Sequence, residues 1–303
     1  MVSGMPYRHC VRTILPMAAL AVLCGCGSTT GTAAPSPSAT SDKKHRLEAA
    51  KADCMKQKGF KYVPFVSRSQ KPDTEEDRKR AAGDYQALRK YREKYGFGVF
   101  AMYVYPKELG HLAVKPDNPE INPNWEIQSS LSKAQMGAYQ KARDTCMVTA
   151  ASQVLGLELK SGVDYYAEQN KIRRRALKSV VNSDPELMEL AGAMATCLKG
   201  KGHAISDTTP LAMAERGPRT FQAQEDKLGR AQRDDVPDVA PPAKKDEVPA
   251  IYAPTLTPEE ARPYLNREIK AALDDLECGK DFYPAYLPRE QVIDKQVNEQ
   301  FGM

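Results

Sequence analysis

The 303-residue sequence has little of several residue types and motifs that usually reveal a function. It contains one tryptophan, four histidines and seven cysteines, and no two cysteines form a Cys-x-x-Cys motif. That absence argues against a thiol–disulfide exchange enzyme and against a cysteine-rich zinc site. The Gly-x-Ser-x-Gly, Walker and dinucleotide-binding fingerprints are also absent. We therefore predict no catalytic residue, cofactor or metal site, and no enzymatic activity.

A long hydrophobic run is missing too. The apolar run Thr13–Leu23 has 11 residues, whereas a membrane-spanning helix needs about 20. Arg8 and Arg12 precede it, so the segment has the pattern of an export signal. Its end, "LCGCG", resembles the bacterial lipobox, which implies that residues 1–25 are removed and that Cys26 becomes a lipid-carrying N-terminus. The alternative is a plain signal peptide with incidental cysteines.

The segment after Cys26 supports an anchored protein. Residues 26–44 are rich in Ser, Thr, Ala, Gly and Pro and have almost no bulky apolar side chains, which predicts a flexible stalk. Two or three acyl chains hold a protein stably in a bilayer, where one is marginal. We expect a protein at the outer face of the cytoplasmic membrane, with the membrane as its partner through the N-terminal lipid.

Charge excludes one class of partner. Removal of residues 1–25 leaves 42 of the 44 basic residues beside 39 acidic ones, a formal charge of +3. Nucleic-acid binding usually requires a concentrated basic face, so no nucleic-acid partner is predicted. A cell-wall polymer or another envelope protein fits better.

Four cysteines remain once Cys26 carries lipid, which in an exported protein predicts two disulfides with three candidate pairings. The stretches "CMKQKGF" (54–60) and "CLKGKGH" (197–203) share one frame, and each follows a helical apolar pattern. Capping boxes also precede helices that carry Cys146 and Cys278. We favour Cys54–Cys146 and Cys197–Cys278, while pairings such as Cys54–Cys197 stay open.

The expected fold is mainly α, with two related helical units that are each closed by a disulfide. The units span 45–160 and 184–303, and a connecting helix at 161–183 joins them. Residues 206–257 hold many prolines and charges, which predicts a disordered linker. The aromatic and β-branched stretch "GFGVFAMYVY" predicts a short β element around 97–105.

The stretches "CMKQKGFKYVP", "YGFGV", "LSKAQMGAYQKARDTC" and "EIKAALDDLEC" together resemble a group of actinomycete exported lipoproteins of unknown function. The resemblance covers most of the mature chain. It implies an outer-leaflet location but no activity, and it assigns a role only to Cys26.

Aromatic side chains are the main candidates for ligand binding, because they can form a platform for a glycan or peptide. Packing in the core is the alternative, since a polar chain needs its few large apolar groups inside. The candidate residues are Tyr95, Phe97, Phe100, Tyr103, Tyr105 and Trp125.

A cell-envelope hydrolase is the rival function. It would draw an acid and a base from carboxylates such as Glu75–Asp77 or Asp274–Glu277, as glycosidases do. The basic run at 173–178 suggests contact with anionic lipid headgroups or wall polymers, although a solvated helix face explains it as well.

Overall fold

The computed structural model describes residues 37–67, 73–111, 114, 120–239 and 251–302. The predicted signal peptide and Cys26 lie outside these residues. Eleven helices run through the described part, and no strand is found there, so the mainly α prediction is confirmed. The helices are α1 Pro37–Gln57, α2 Glu75–Ala81, α3 Tyr85–Tyr95, α4 Ala101–Val104, α5 Asn124–Ser129, α6 Lys133–Leu155, α7 Asp164–Val181, α8 Pro185–Gly200, α9 Pro210–Ala231, α10 Pro258–Cys278 and α11 Phe282–Phe301.

Local sequence explains where α6 and α10, which carry the second cysteine of each bridge, begin. At the start of α6, the Gln135 backbone N–H donates to Ser132 Oγ, and the Gln135 side chain accepts from the Ser132 N–H at 2.9 Å. Thr257 and Glu260 form the same box at the start of α10. Such a cap satisfies N–H groups that the first turn leaves free, and is worth about 1 kcal/mol.

The two favoured disulfides are confirmed. Cys54–Cys146 joins α1 to α6, and Cys197–Cys278 joins α8 to α10. The Cα atoms are 5.5 Å apart in each bridge, within the usual range for disulfides.

One large core draws on both predicted helical units. A cluster of buried residues combines side chains of α1, α7, α8, α10 and α11, among them Leu47, Leu177, Met194, Leu276 and Tyr286. Smaller clusters surround the first disulfide and the aromatic stretch. The two units therefore share a core, and their described helices pack as one compact body.

The β element expected at 97–105 is wrong. Turns lead there into the short helix Ala101–Val104. The side chain of Glu268 accepts hydrogen bonds from the backbone N–H groups of Phe97, Val99 and Phe100. A carboxylate thus satisfies the donors that a strand would have offered to a neighbouring strand.

The disordered linker expected at 206–257 is also wrong over much of its length, because α9 lies within it. Pro210 occupies the first turn, where its missing N–H costs nothing. Met213 and Phe221 are buried at 0% and 5% exposure. Residues 251–257 lie along α9, and Tyr252 donates its N–H to Asp226 at 2.9 Å. Residues 240–250 are outside the described part.

The flexible stalk predicted at 26–44 is wrong for residues 37–44, which belong to α1. Residues 26–36 lie outside the described part. Leu47 is buried in the main core, and Lys43 Nζ donates to the Glu299 carbonyl of α11 at 2.9 Å. These contacts give the segment a tertiary support that its composition does not suggest. Within the described residues, none of the helices has the length and hydrophobicity needed to cross a bilayer.

Candidate functional site

Helix α10 carries two buried carboxylates on one face. Glu268 and Asp275 are seven residues apart and both are 0% exposed, and this spacing places them on the same side of a helix. Ala272, between them, is equally buried. A charged group that is taken out of water must find partners, so the contacts of these two side chains decide what they do.

Glu268 organises the loop before α4. Its oxygens accept the N–H groups of Phe97, Val99 and Phe100 at 2.8, 2.9 and 2.8 Å. Burial raises the pKa of Glu268 above its ordinary value, although these hydrogen bonds act in the opposite direction. Gly96 allows the close approach, because a Cβ there would lie 2.8 Å from the Glu268 side chain.

Asp275 lies at the centre of a charged network. Arg92 Nη1 donates to it at 2.7 Å and Arg216 Nη2 at 3.2 Å, and the Tyr283 hydroxyl donates as well. Arg92 also donates to the carbonyl of Ala272 at 3.0 Å. Burial opposes the charge of Arg92, but Tyr283 and Asp275 outweigh it and hold the pKa of the guanidinium above its usual value. The network ties α3 and α9 to α10.

Five of the six predicted aromatic residues lie together, in what we call the aromatic cluster. Phe100 is 0% exposed and stacks on Tyr264 of α10 with ring centroids 4.9 Å apart. Phe97 packs on Phe221 and against Gly217, where a Cβ would lie 2.2 Å from the ring. The members of the cluster are Tyr95, Phe97, Phe100, Tyr103 and Tyr105.

The tyrosines of the aromatic cluster are occupied by internal contacts. The Tyr103 hydroxyl donates to Glu225 at 2.6 Å, and the Tyr95 hydroxyl donates to Glu108 at 2.6 Å. Tyr95 and Tyr105 meet edge to face at 5.6 Å. The cluster is consequently packed against itself and against α9 and α10, rather than open to a flat ligand.

Trp125, the sixth predicted residue, lies on α5 and is not a member of this cluster. Its side chain is 72% exposed. The preceding residue, Asn124, is buried and binds both the N–H and the carbonyl of Val63, at 2.9 and 2.8 Å. The structure thus places Trp125 on the surface beside the segment that follows α1.

A concave surface next to the aromatic cluster, the α9–α10 cleft, has a volume of about 400 Å³. Its aromatic wall is Tyr264, and the Arg267 guanidinium lies 4.6 Å from the centroid of that ring. Lys227 and Arg267 are exposed, and neither forms an ion pair with any described residue. The lining residues are Gln224, Lys227, Leu228, Ala231, Tyr264 and Arg267.

The carboxylates considered for hydrolysis are engaged elsewhere. Asp77 belongs to the capping box of α2. Asp274 contacts His203 at 3.1 Å and Lys201 at 3.3 Å, and Glu277 contacts Lys201 at 2.9 Å. Among the described residues, no group of three or more His, Cys, Asp or Glu side chains has a geometry for a metal ion.

The basic run at 173–178 also meets acidic partners. Arg173 contacts Asp294 and Glu290 of α11 at 2.6 and 2.9 Å, and Arg174 contacts Glu215 of α9 at 2.7 Å. These pairs hold α7 to its neighbours, which favours the structural interpretation of the run.

Glu268 and Tyr264 are not among the residues predicted from the sequence. A signal for Glu268 exists, because it lies three residues after Leu265 and four before Ala272, within the apolar stripe of α10. An acidic residue in such a stripe indicates a buried carboxylate with dedicated partners. Tyr264 has no comparable signal, since its role depends on Phe100, which is 164 positions away in the sequence.

Comparison of the chain with protein-family models, curated proteins and solved structures finds no match.

Proposed function

We propose that this protein is lipid-anchored at the outer face of the cytoplasmic membrane and acts there as a non-enzymatic binding or envelope-associated module. The observation that carries the proposal is the pair of disulfides, which close loops of 92 and 81 residues. Disulfides of this kind persist in oxidising compartments and are rare in the cytosol. The signal-like residues 8–23 and the lipobox-like "LCGCG" point to the same compartment.

A binding role is supported by the contrast between the buried carboxylates of α10 and the exposed cations of the α9–α10 cleft. The two buried carboxylates of α10 serve a loop and two arginines, so they act inside the fold. The α9–α10 cleft instead offers an aromatic ring and two cations to the outside. The rival hydrolase needs carboxyl groups that can reach a substrate, and the acids of 274–277 have basic or phenolic partners.

The anchor is tested in a bacterial host that processes lipoproteins, with the full chain expressed behind its own first 25 residues. Mass spectrometry of the N-terminal peptide is expected to find acyl mass on Cys26. The Cys26→Ala variant should lose that mass and fail to stay with washed membranes, whereas Cys24→Ala, the matched control, should be processed normally. A mature chain in the culture fluid with no acyl mass on its first residue would refute the proposal.

A further inference from the structure

The α9–α10 cleft brings together two positive charges from different helices. Lys227 belongs to α9 and Arg267 to α10, and both line the same concavity. Like charges that share a concave surface repel each other, and a surface with low-dielectric walls strengthens their field. Since neither cation is paired within the described residues, a bound anion would relieve this repulsion and gain charge-assisted hydrogen bonds.

The cleft also has a fixed aromatic wall. Tyr264 is stacked on Phe100, which is 0% exposed, with the ring planes inclined by only 20°. Arg267 lies near the same ring, 4.6 Å from its centroid. Leu228 and Ala231 add apolar surface. Phe100 and Arg267 both lie over the Tyr264 ring, so a ligand ring would pack on the apolar surface that Leu228, Ala231 and Tyr264 present to the cleft. Because its contact with Phe100 already orders Tyr264, the entropic cost of binding is lowered.

The two helices that form the cleft are held by contacts outside it. One turn after Tyr264, Glu268 binds the loop that carries Phe100. On α9, Asp226 binds the Tyr252 N–H and forms an ion pair with Arg230 at 2.6 Å. These contacts hold each helix to a neighbouring segment, and the ion pair between Arg216 of α9 and Asp275 of α10, at 3.2 Å, joins the two helices without occupying the cleft.

We infer that the α9–α10 cleft binds a ligand in which a phosphate or carboxylate is attached to a sugar or other ring. Lys227 and Arg267 contact the anion, and the ring packs on the apolar surface of Leu228, Ala231 and Tyr264. The volume of about 400 Å³ matches small-ligand sites. This inference rests on the proposed role as a binding module and names the ligand class of that role.

Phenyl phosphate is the probe for a calorimetric titration of the full, processed chain. Inorganic phosphate supplies the anion without the ring, and phenol supplies the ring without the anion. We expect phenyl phosphate to bind several-fold more tightly than either fragment and to weaken as salt is raised, because exposed charges are screened. Equal binding of all three probes, or no binding of phenyl phosphate at millimolar concentration, would overturn the inference.

Variants then locate the site. Lys227→Gln with Arg267→Gln should weaken phenyl phosphate binding at least tenfold, since two charge-assisted contacts are lost. Lys270→Gln, which removes an exposed cation one turn along α10, should change affinity less than twofold. Circular dichroism checks that each variant folds. An equal loss in the double variant and the Lys270 control would overturn the inference.

Two competition experiments distinguish a soluble source of the anion from a lipid source. Glucose 1-phosphate represents a soluble sugar phosphate, and phosphatidylinositol vesicles represent a lipid headgroup whose phosphate is attached to a ring. Both experiments use the Cys26→Ala chain, so that an acyl anchor does not itself hold the protein to vesicles. Competition with phenyl phosphate by either one supports the inference, and competition by neither contradicts it. Acyl mass on Cys26 is measured separately, so a failure of the anchor and a failure of the cleft are distinguishable.

Discussion

The two disulfide-linked helix pairs, α1–α6 and α8–α10, have the same backbone design and different chemistry around it. In each pair a cysteine near the end of the first helix is followed by a glycine with positive φ, 80° at Gly59 and 87° at Gly202. The Cα atoms of both bridges are 5.5 Å apart. The shared frame Cys-x-Lys-x-Lys-Gly thus ends α1 and α8 with the same backbone geometry.

The residue after the glycine repeats the same hydrogen bond. Phe60 donates its N–H to the Met55 carbonyl at 2.9 Å, and His203 donates to the Leu198 carbonyl at 3.0 Å. The side chains then diverge. Phe60 meets the ring of Tyr139 edge to face at 5.5 Å, whereas His203 contacts a carboxylate of α10. A local motif therefore determines the backbone, and the opposite helix determines what the side chain binds.

Helices α6 and α10, which carry the second cysteine of each bridge, also differ in how many parts of the fold they contact. Helix α6 covers its bridge with a small apolar cluster and reaches the main core through Ala150 and Ala151. Helix α10 lies against the main core, the aromatic cluster and the network of Asp275 at once. The second pair is consequently a junction of three parts of the fold, while the first pair contacts the main core and its own apolar cluster.

Loss of a disulfide has the largest expected effect. The loops of 92 and 81 residues correspond to about 4.5 kcal/mol each in the chain-entropy model. Replacing Cys54 and Cys146 by Ala, or Cys197 and Cys278 by Ala, should lower the free energy of unfolding by similar amounts, measured by urea denaturation. A loss below about 1 kcal/mol for either pair would contradict this equivalence.

Loss of a buried carboxylate should destabilise the α8–α10 pair more than a matched change destabilises the α1–α6 pair. Asp275→Asn removes the charge that faces two arginines and should cost about 3 kcal/mol, because it leaves buried cations uncompensated. Asp144→Asn on α6 is the matched control, since its carboxylate accepts only the Gly162 N–H among the described contacts, at 2.7 Å. It should cost about 1 kcal/mol. Equal losses would mean that the network does not stabilise the junction.

An exchange of the divergent residues tests the comparison directly. Phe60→His removes an edge-to-face ring contact and part of an apolar cluster, with an expected loss of about 2 kcal/mol. His203→Phe removes a partly exposed polar contact, which is worth below about 1 kcal/mol. The Phe60→His variant should therefore unfold at a lower temperature than the His203→Phe variant. The opposite order would show that the surroundings of the α1–α6 bridge are not the more apolar ones.

The smallest expected effect is a pH dependence from Glu268. Its folded-state pKa is raised by burial, so its contribution to stability is full below the ordinary value and declines as pH rises through the folded value. Glu268→Gln lacks this titration. The stability of the wild-type chain relative to the variant should therefore fall as pH rises from 4 to 8, measured by urea unfolding. A constant or rising difference would contradict the raised pKa.

Local patterns predicted the starts of α6 and α10 and the favoured disulfide pairing, because both depend on residues close in sequence or on a repeated frame. They failed at 97–105 and at 206–257 because contacts with residues distant in the sequence override the local pattern there. The aromatic stretch has strand propensity, but its N–H groups bind Glu268, about 170 positions later. Helix α9 has many charges and two prolines, yet Phe221 is buried against the aromatic cluster.

The sequence by itself determined the helical class, the caps and the two cysteine frames, since each depends on interactions within a few turns of chain. Only the tertiary structure decided that both halves share one core, that Glu268 and Asp275 are buried, and that the aromatic cluster is packed while the α9–α10 cleft is open. The physical reason is that burial and charge pairing join residues more than 100 positions apart, such as Arg92 with Asp275, and no local pattern records those distances.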